Sequence, residues 1–249
     1  MIRLRVLGAA DLRGSDGAEV RSVLAQPKRL ALLSYLAVDT PQGFHRRDSL
    51  LALFWPEADT AHARNALRQA VHHLRQALGE GVLVGRGTEE LGLARNHVWC
   101  DAVAFEEALT GGDLIAGLEN YRGDVLPGFY LSDAPEFERW LEQQRTRLRA
   151  RAAEAAWTLA EREATAAHAT SATHWARWAA GLAPEDEAVQ RRLIALLLRL
   201  GDRAGALRAY DTLATRLNED FDTTPSADSS NRTFSLSPLL AANFDSTFV

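Results

Sequence analysis

Residues 60–79, TAHARNALRQAVHHLRQALG, carry three arginines (Arg64, Arg68, Arg75), three histidines (His62, His72, His73) and three amides (Asn65, Gln69, Gln76), and no carboxylate. The chain around them is acidic, with 33 Asp and Glu against 28 Lys and Arg. Guanidinium, amide and imidazole groups together form the donor and acceptor set that reads base edges in a major groove and grips phosphates. A carboxylate among them would face a row of phosphates and repel it. The same segment also suits the solvent face of an ordinary helix in an arginine-rich protein, with Arg64 or Arg75 paired to Asp59 or Glu57. Other chemistries find less support. There is no GxxxxGK[ST] loop, no CxxC and no HExxH. His72 and His73 are adjacent and point to different faces of a helix, while His168 and His174 stand six apart, so neither pair is spaced to chelate an ion. Cys100 has no histidine placed for it by any motif. The expectation is therefore no catalytic residue, no metal and no cofactor: not an enzyme.

The elements that must position these side chains follow from the periodicity. Ala63, Leu67, Ala70, Val71, Leu74 and Leu78 recur at helical spacing and form one apolar stripe. His62, Asn65, Gln69, His72 and Gln76 cluster opposite, Arg64, Arg68 and Arg75 line a flank, and Gly79 and Gly81 stop the helix. Upstream, Ile2, Leu4 and Val6 alternate with Arg3 and Arg5 as a strand, Gly14 and Gly17 bracket a turn, and Val20 and Val23 suggest a further strand. Pro27 opens a helix in PKRLALLSYLAVDT. A second helix, RRDSLLALFWPEAD, ends near Trp55 because Pro56 disfavours helical geometry before it. Downstream, VLVGRGTEELGLARNHVWCDA is three short β-type runs. Strands, three helices and a hairpin is the order in which a winged helix-turn-helix uses its third helix for recognition.

The rest of the chain differs in character. Residues 1–100 hold 13 Lys and Arg against 10 Asp and Glu, a net +3, whereas residues 101–249 hold 15 against 23, a net −8. Short helical patterns at DAVAFEEAL and DLIAGLENY precede a Gly/Pro loop, RGDVLPGFYL. A helix of about eight turns follows, with Asp133 and Glu136 placed as a capping box and Phe137, Trp140, Leu141, Leu148, Ala152, Ala155 and Leu159 on its inner face. Trp55, Trp140, Trp157, Trp175 and Trp178 read as core. A repeat with an offset of 34 residues pairs Ala172 with Ala206, Ala176 with Tyr210 and Ala179 with Leu213. Thirty-four is the tetratricopeptide period, and a plain antiparallel bundle is the alternative. From about Asp222 the Ser/Thr/Asn/Asp-rich sequence reads as a flexible tail or linker start. No apolar run approaches the ~18 residues of a membrane span, the start lacks the apolar stretch of a signal peptide, and a single cysteine suits a reducing cytoplasm. The expected location is cytoplasmic, without a membrane partner.

Several of these segments line up with one family. LRVLGAADLRG, PKRLALLSYLA, RRDSLLALFWPEAD, ARNALRQAVHHLRQALG, YRGDVLPGFY, FERWLEQQRTRLR, LAPEDEAVQRRLIALLLRLGDRAGALRAYDTLATRL and TPS cover residues 2–226 in order. The chain resembles SARP-type bacterial transcriptional regulators, which join an OmpR-type winged helix to a bacterial transcriptional activator domain. It departs at Phe221-Asp222-Thr223-Thr224, where the family has Leu-Gly before the Pro-Ser. The resemblance implies a mainly α fold with a small β part: a winged helix-turn-helix at 1–100, an all-α tetratricopeptide-like domain at 101–221, and the tail at 222–249. It implies a sequence-specific DNA-binding regulator, expected to activate, whose helical domain serves dimerisation or partner contact. Asn65, Arg68, Gln69 and His72 would read bases. Arg86 and Arg95 would reach the minor groove or its phosphates, and Lys28, Arg29, Arg46, Arg47 and Arg64 would hold phosphates. The expected partners are promoter DNA with repeated half-sites, a second copy of the chain on that DNA, and RNA polymerase. The rival reading is an interaction scaffold whose winged helix has no DNA affinity.

Overall fold

The computed structural model describes residues 1–39 and 43–221, and the chain divides into two compact units, Met1–Ala150 and Arg151–Val249. The expected tail at 222–249 lies outside the described residues.

In the first unit, strand β1 (Ile2–Arg5) buries Ile2 and Leu4 and exposes Arg3, as the alternation requires. It pairs antiparallel with β2 (Asp11–Arg13) and parallel with β6 (Val98–Cys100). The strand expected at Val20 and Val23 does not form. Those two valines are three residues apart, one helical turn rather than a strand period, and Arg21–Leu24 is a one-turn helix, α1, with Val23 buried. Helix α2 (Pro27–Val38) starts on its proline. Helix α3 (Arg47–Phe54) ends with Trp55 as its C-cap, as Pro56 predicts. Directly before α3 lies a two-residue strand, β3 (His45–Arg46), which the sequence pattern did not suggest. Helix α4 (Thr60–Leu78) is the carboxylate-free segment. The wing is the antiparallel hairpin of β4 (Leu83–Arg86) and β5 (Glu90–Leu93), with β3 on the other edge of β5. The third expected β run does not extend the wing, because β6 returns to β1.

Packing of the first unit runs on past residue 100. Helices α5 (Asp101–Thr110) and α6 (Leu114–Asn120) and the first half of α7 (Pro135–Thr165) belong to it. The buried Asp101 carboxylate accepts from the backbone N–H of Val6 at 2.9 Å, Leu7 at 3.1 Å and Ala102 at 2.8 Å. The loop after α6 is stitched to the same strand end, with Gly8 N–H donating to Asp124 O at 2.9 Å and Leu126 N–H to Val6 O at 2.8 Å. Arg145 holds that loop from α7, reaching the carbonyls of Val125 at 2.9 Å and Leu126 at 2.6 Å. The Trp140 indole donates to Asp39 Oδ1, after α2, at 2.6 Å.

All seven residues expected on the inner face of α7 are buried, but the capping box is not used. Pro135 opens the helix, the Glu138 carboxylate accepts from Leu131 N–H at 2.6 Å, Glu136 bonds Arg139, and Asp133 pairs with Lys28. Helix α7 begins at Pro135, so Asp133 lies one residue outside the cap position and pairs with Lys28 instead.

The second unit holds α8 (Ala169–Gly181), α9 (Glu187–Arg199) and α10 (Arg203–Phe221). Ala172 and Ala206, and Ala179 and Leu213, are buried in equivalent positions of α8 and α10. Two of the three offset pairs thus repeat in packing, whereas Tyr210, opposite the buried Ala176, is part-exposed. Of the five tryptophans expected in the core, Trp140 and Trp157 are buried, and Trp55, Trp175 and Trp178 are part-exposed.

Candidate nucleic-acid interface

The geometry of α4 follows from its ends and its stripe. Asp59 caps the helix, its carboxylate accepting from the N–H of Ala61 and His62, both at 3.0 Å. The His62 amide and imidazole, the latter at 2.5 Å, hold that carboxyl below its usual pKa range. Ala63, Leu67, Ala70, Val71, Leu74 and Leu78 are all buried, the six positions of the apolar stripe. Each fully buried Leu or Val in it stabilises by roughly 1.5–3 kcal/mol. Gly79 ends the helix at φ +105°, in the left-handed region that favours glycine.

This burial turns the polar face outward. Asn65, Arg68, Gln69 and His72 stand at i, i+3, i+4 and i+7 and are all exposed. Arg68 Nη1 lies 3.5 Å from Asn65 Oδ1, and Arg68 makes no ion pair among the described residues. Arg64 leans on α3, with Nη2 3.8 Å from Asp48 Oδ1, rather than on Asp59 or Glu57. Arg47, Arg64 and Arg68 line one groove with Asp48 and with Thr88 and Glu89 at the wing turn. Three guanidinium groups against two carboxylates leave it weakly positive.

The other candidate cations divide into two sets. Arg46 and Arg86 both stand opposite Glu90, in β3 and β4 on either side of β5, so one row across the wing sheet reads Arg46, Glu90, Arg86. Arg86 Nη1 is 3.4 Å from Glu90 Oε2, and its guanidinium lies over the Phe44 ring at 4.3 Å. Arg47 N–H donates to Glu89 O at 2.8 Å, tying the start of α3 to the wing. Arg46, Arg47, Arg64, Arg68 and Arg86 are thus gathered around α4 and the wing. Lys28, Arg29 and Arg95 are placed elsewhere. Lys28 Nζ donates to Phe54 O at 2.9 Å, pairs with Asp133 at 2.7 Å and sits over Trp55 at 5.3 Å. Arg29 donates to Ser22 O at 3.2 Å, and Arg95 lies 3.8 Å from Glu107.

Arg75, placed on the flank of α4 by the sequence, turns to the wing, and no sequence signal singles out Phe44. Arg75 donates from α4 to the Leu83 carbonyl of the wing. Phe44 backs Arg86 from a segment with no pattern of its own. Among the described residues no group of three metal-ligating side chains comes together, and no helix is long and apolar enough to cross a membrane.

The model of the bacterial transcriptional activator domain matches residues 101–232, a little over half of the chain. Among solved structures, the chain is similar to EmbR of Mycobacterium tuberculosis, determined in complex with a low affinity phosphopeptide. The TM-score is 0.62 at 24% identity, over 96% of this chain and 66% of that one. At that identity the likeness shows the fold, a winged helix followed by a helical domain, and this chain spans just under two thirds of EmbR's length. No curated protein matches the chain.

Proposed function

We propose, for a chain that belongs to the bacterial transcriptional activator domain family and has the architecture of a SARP-type transcriptional regulator, that it regulates by binding promoter DNA in a sequence-specific way and activates from there. In this reading α4 enters the major groove. Asn65, Arg68, Gln69 and His72 meet base edges, while Arg46, Arg47, Arg64 and Arg86 hold phosphates on either side. The observation that carries it is the exposed face of α4: four base-reading side-chain types at one helical spacing, with no carboxylate between Asp59 and Glu80.

The weakly positive groove bears on how DNA is held. With so few cations, tight binding needs more than one protomer, so we place two copies on repeated half-sites. The helical domain supplies the contact between copies or with RNA polymerase. Lys28 and Arg29, each bonded to a main-chain carbonyl of the protein, contribute to the fold more than to phosphate contacts.

Fluorescence anisotropy of the full chain with a random-sequence duplex tests the reading. DNA binding predicts an affinity that falls as salt is raised. Binding absent even at low salt would favour the scaffold reading, in which the winged helix only supports protein contacts.

A further inference from the structure

The second unit has a groove of about 450 Å³ that DNA recognition does not use, lined from α8 by Arg177, from the α8–α9 turn by Pro184, from α9 by Gln190 and from α10 by Arg208, Thr212 and Arg216. We infer that this groove binds an acidic, extended peptide segment of a protein partner. This goes beyond the DNA reading and stands without it.

Charge segregation is the first support. Residues 151–221 hold 9 arginines and 10 Asp and Glu, so the unit has no basic excess to explain a local one. Yet three arginines line the groove and no carboxylate does. Arg177 has Asp202 at 3.7 Å, whereas Arg208 and Arg216 are exposed and make no ion pair among the described residues. By contrast, Arg192 and Arg199 are both taken by Glu161. Unpaired guanidinium groups gathered in one concavity attract carboxylates and suppress other partners.

Spacing and floor supply the second support. Arg208, Thr212 and Arg216 are successive turns of one helix face, which puts Arg208 and Arg216 about 12 Å apart along α10. In an extended peptide, at about 3.3 Å per residue, that separation matches acidic residues four positions apart. The floor is small and apolar, with Ala180 and Leu193 buried and Gly181 and Ala209 beside them. The Gln190 amide donates to Ala180 O at 3.0 Å and Ala183 O at 3.3 Å and so fixes the α8–α9 turn that forms one wall. Such a floor takes the apolar residues between the acids. A nucleic acid fits less well, because a polyanion needs a continuous basic track rather than three cations on a neutral unit.

The test titrates the full chain into a fluorescein-labelled peptide of alternating Asp, Glu and Leu. The same peptide with Asn and Gln for Asp and Glu, and a labelled random duplex, are the other probes. The acidic peptide should bind in a salt-sensitive way and at least about tenfold more tightly than the amide peptide. Arg208→Glu with Arg216→Glu should weaken it at least about tenfold, while the thermal melt and duplex binding stay as in the wild type. Arg203→Glu, exposed on the same helix but outside the groove, should leave the peptide affinity unchanged. If the double reversal lowers the melting temperature, Arg208→Gln with Arg216→Gln takes its place. Equal binding of the acidic and amide peptides, no peptide binding, or an unchanged affinity in the double variant would overturn the inference. So would loss of duplex binding in that variant, which would make the groove a nucleic-acid surface. Absent duplex binding in the wild type, with peptide binding intact, would sink the DNA reading alone.

Discussion

Arg75 donates from both Nε, at 3.2 Å, and Nη2, at 3.0 Å, to the carbonyl of Leu83. One guanidinium on α4 thereby fixes the helix to the first strand of the wing. Its other neighbour, Glu80, is 4.0 Å away. Replacing Arg75 with methionine keeps most of the apolar stem but strips the carbonyl of a charged donor, a loss of about 1–2 kcal/mol in stability. Urea denaturation measures that directly. Affinity for a two-groove DNA site should fall with it, because helix and wing no longer hold a fixed separation.

Lys28 separates a structural cation from a phosphate contact. Its ammonium is occupied by Phe54 O and Asp133, so Lys28→Ala should cost about 1–2 kcal/mol in unfolding free energy through the lost charged hydrogen bond. The salt dependence of DNA binding should not change. A shallower salt slope without a stability loss would return Lys28 to the phosphate-binding set.

Asp101 makes stability depend on pH. Burial pushes its pKa up to about 6, against the opposing pull of the amides of Val6, Leu7 and Ala102. A carboxyl whose folded pKa lies above its unfolded one binds more protons when folded. Its contribution is therefore greatest below about pH 4 and is lost as pH rises through about 6, a change on the order of 3 kcal/mol. Asp101→Asn should destabilise by about 1–3 kcal/mol near pH 4, since its NH₂ must face an amide donor. The gap to wild type should narrow by pH 7. A gap that widens between pH 4 and 7 would contradict the assignment.

How far the sequence foretold this structure depends on how local each cause is. Helix α4 was legible to the residue pattern, because six buried positions at a 3.6-residue period and Gly79 specify one helix and its exposed face. The two residues of β3 are too few to show any period. Val20 and Val23, read as a strand, stand at the spacing of a helical turn, and α1 forms there. The capping box at Asp133 failed because α7 begins one residue later than the pattern implies, which leaves the carboxylate to Lys28, distant in sequence. The continuity of the first unit beyond residue 100 rests on bonds such as Asp101 to Val6, which join residues 95 positions apart and leave no local trace. For the candidate site, spacing put the α4 residues on one side, but the grouping of Arg46 with Arg86 needed the register of β3 on β5.

In the proposed reading, the clustered arginines set the salt dependence of DNA binding. Arg46, Arg47, Arg64, Arg68 and Arg86 are the cations beside α4 and the wing, and each phosphate contact adds about 0.9 to the negative slope of log K against log salt. A slope of about three to five per protomer is expected. Arg46→Ala, at an exposed position with no side-chain partner among the described residues, should reduce it by about 0.9 and weaken specific and random duplexes alike. A slope near ten per protomer would mean a larger basic surface than the one described.

Selecting bound sites from a random DNA pool, with the wild type and Arg68→Ala side by side, tests the role of α4 most directly. Arg68 is exposed, next to Asn65 and free of any ion pair among the described residues. If it reads a guanine, the wild type should enrich a defined motif. The variant should enrich the same motif with one base pair relaxed, at a cost of about 1–3 kcal/mol on the wild-type site. A wild type that enriches no motif, or a variant that enriches an identical one at unchanged affinity, would contradict the account.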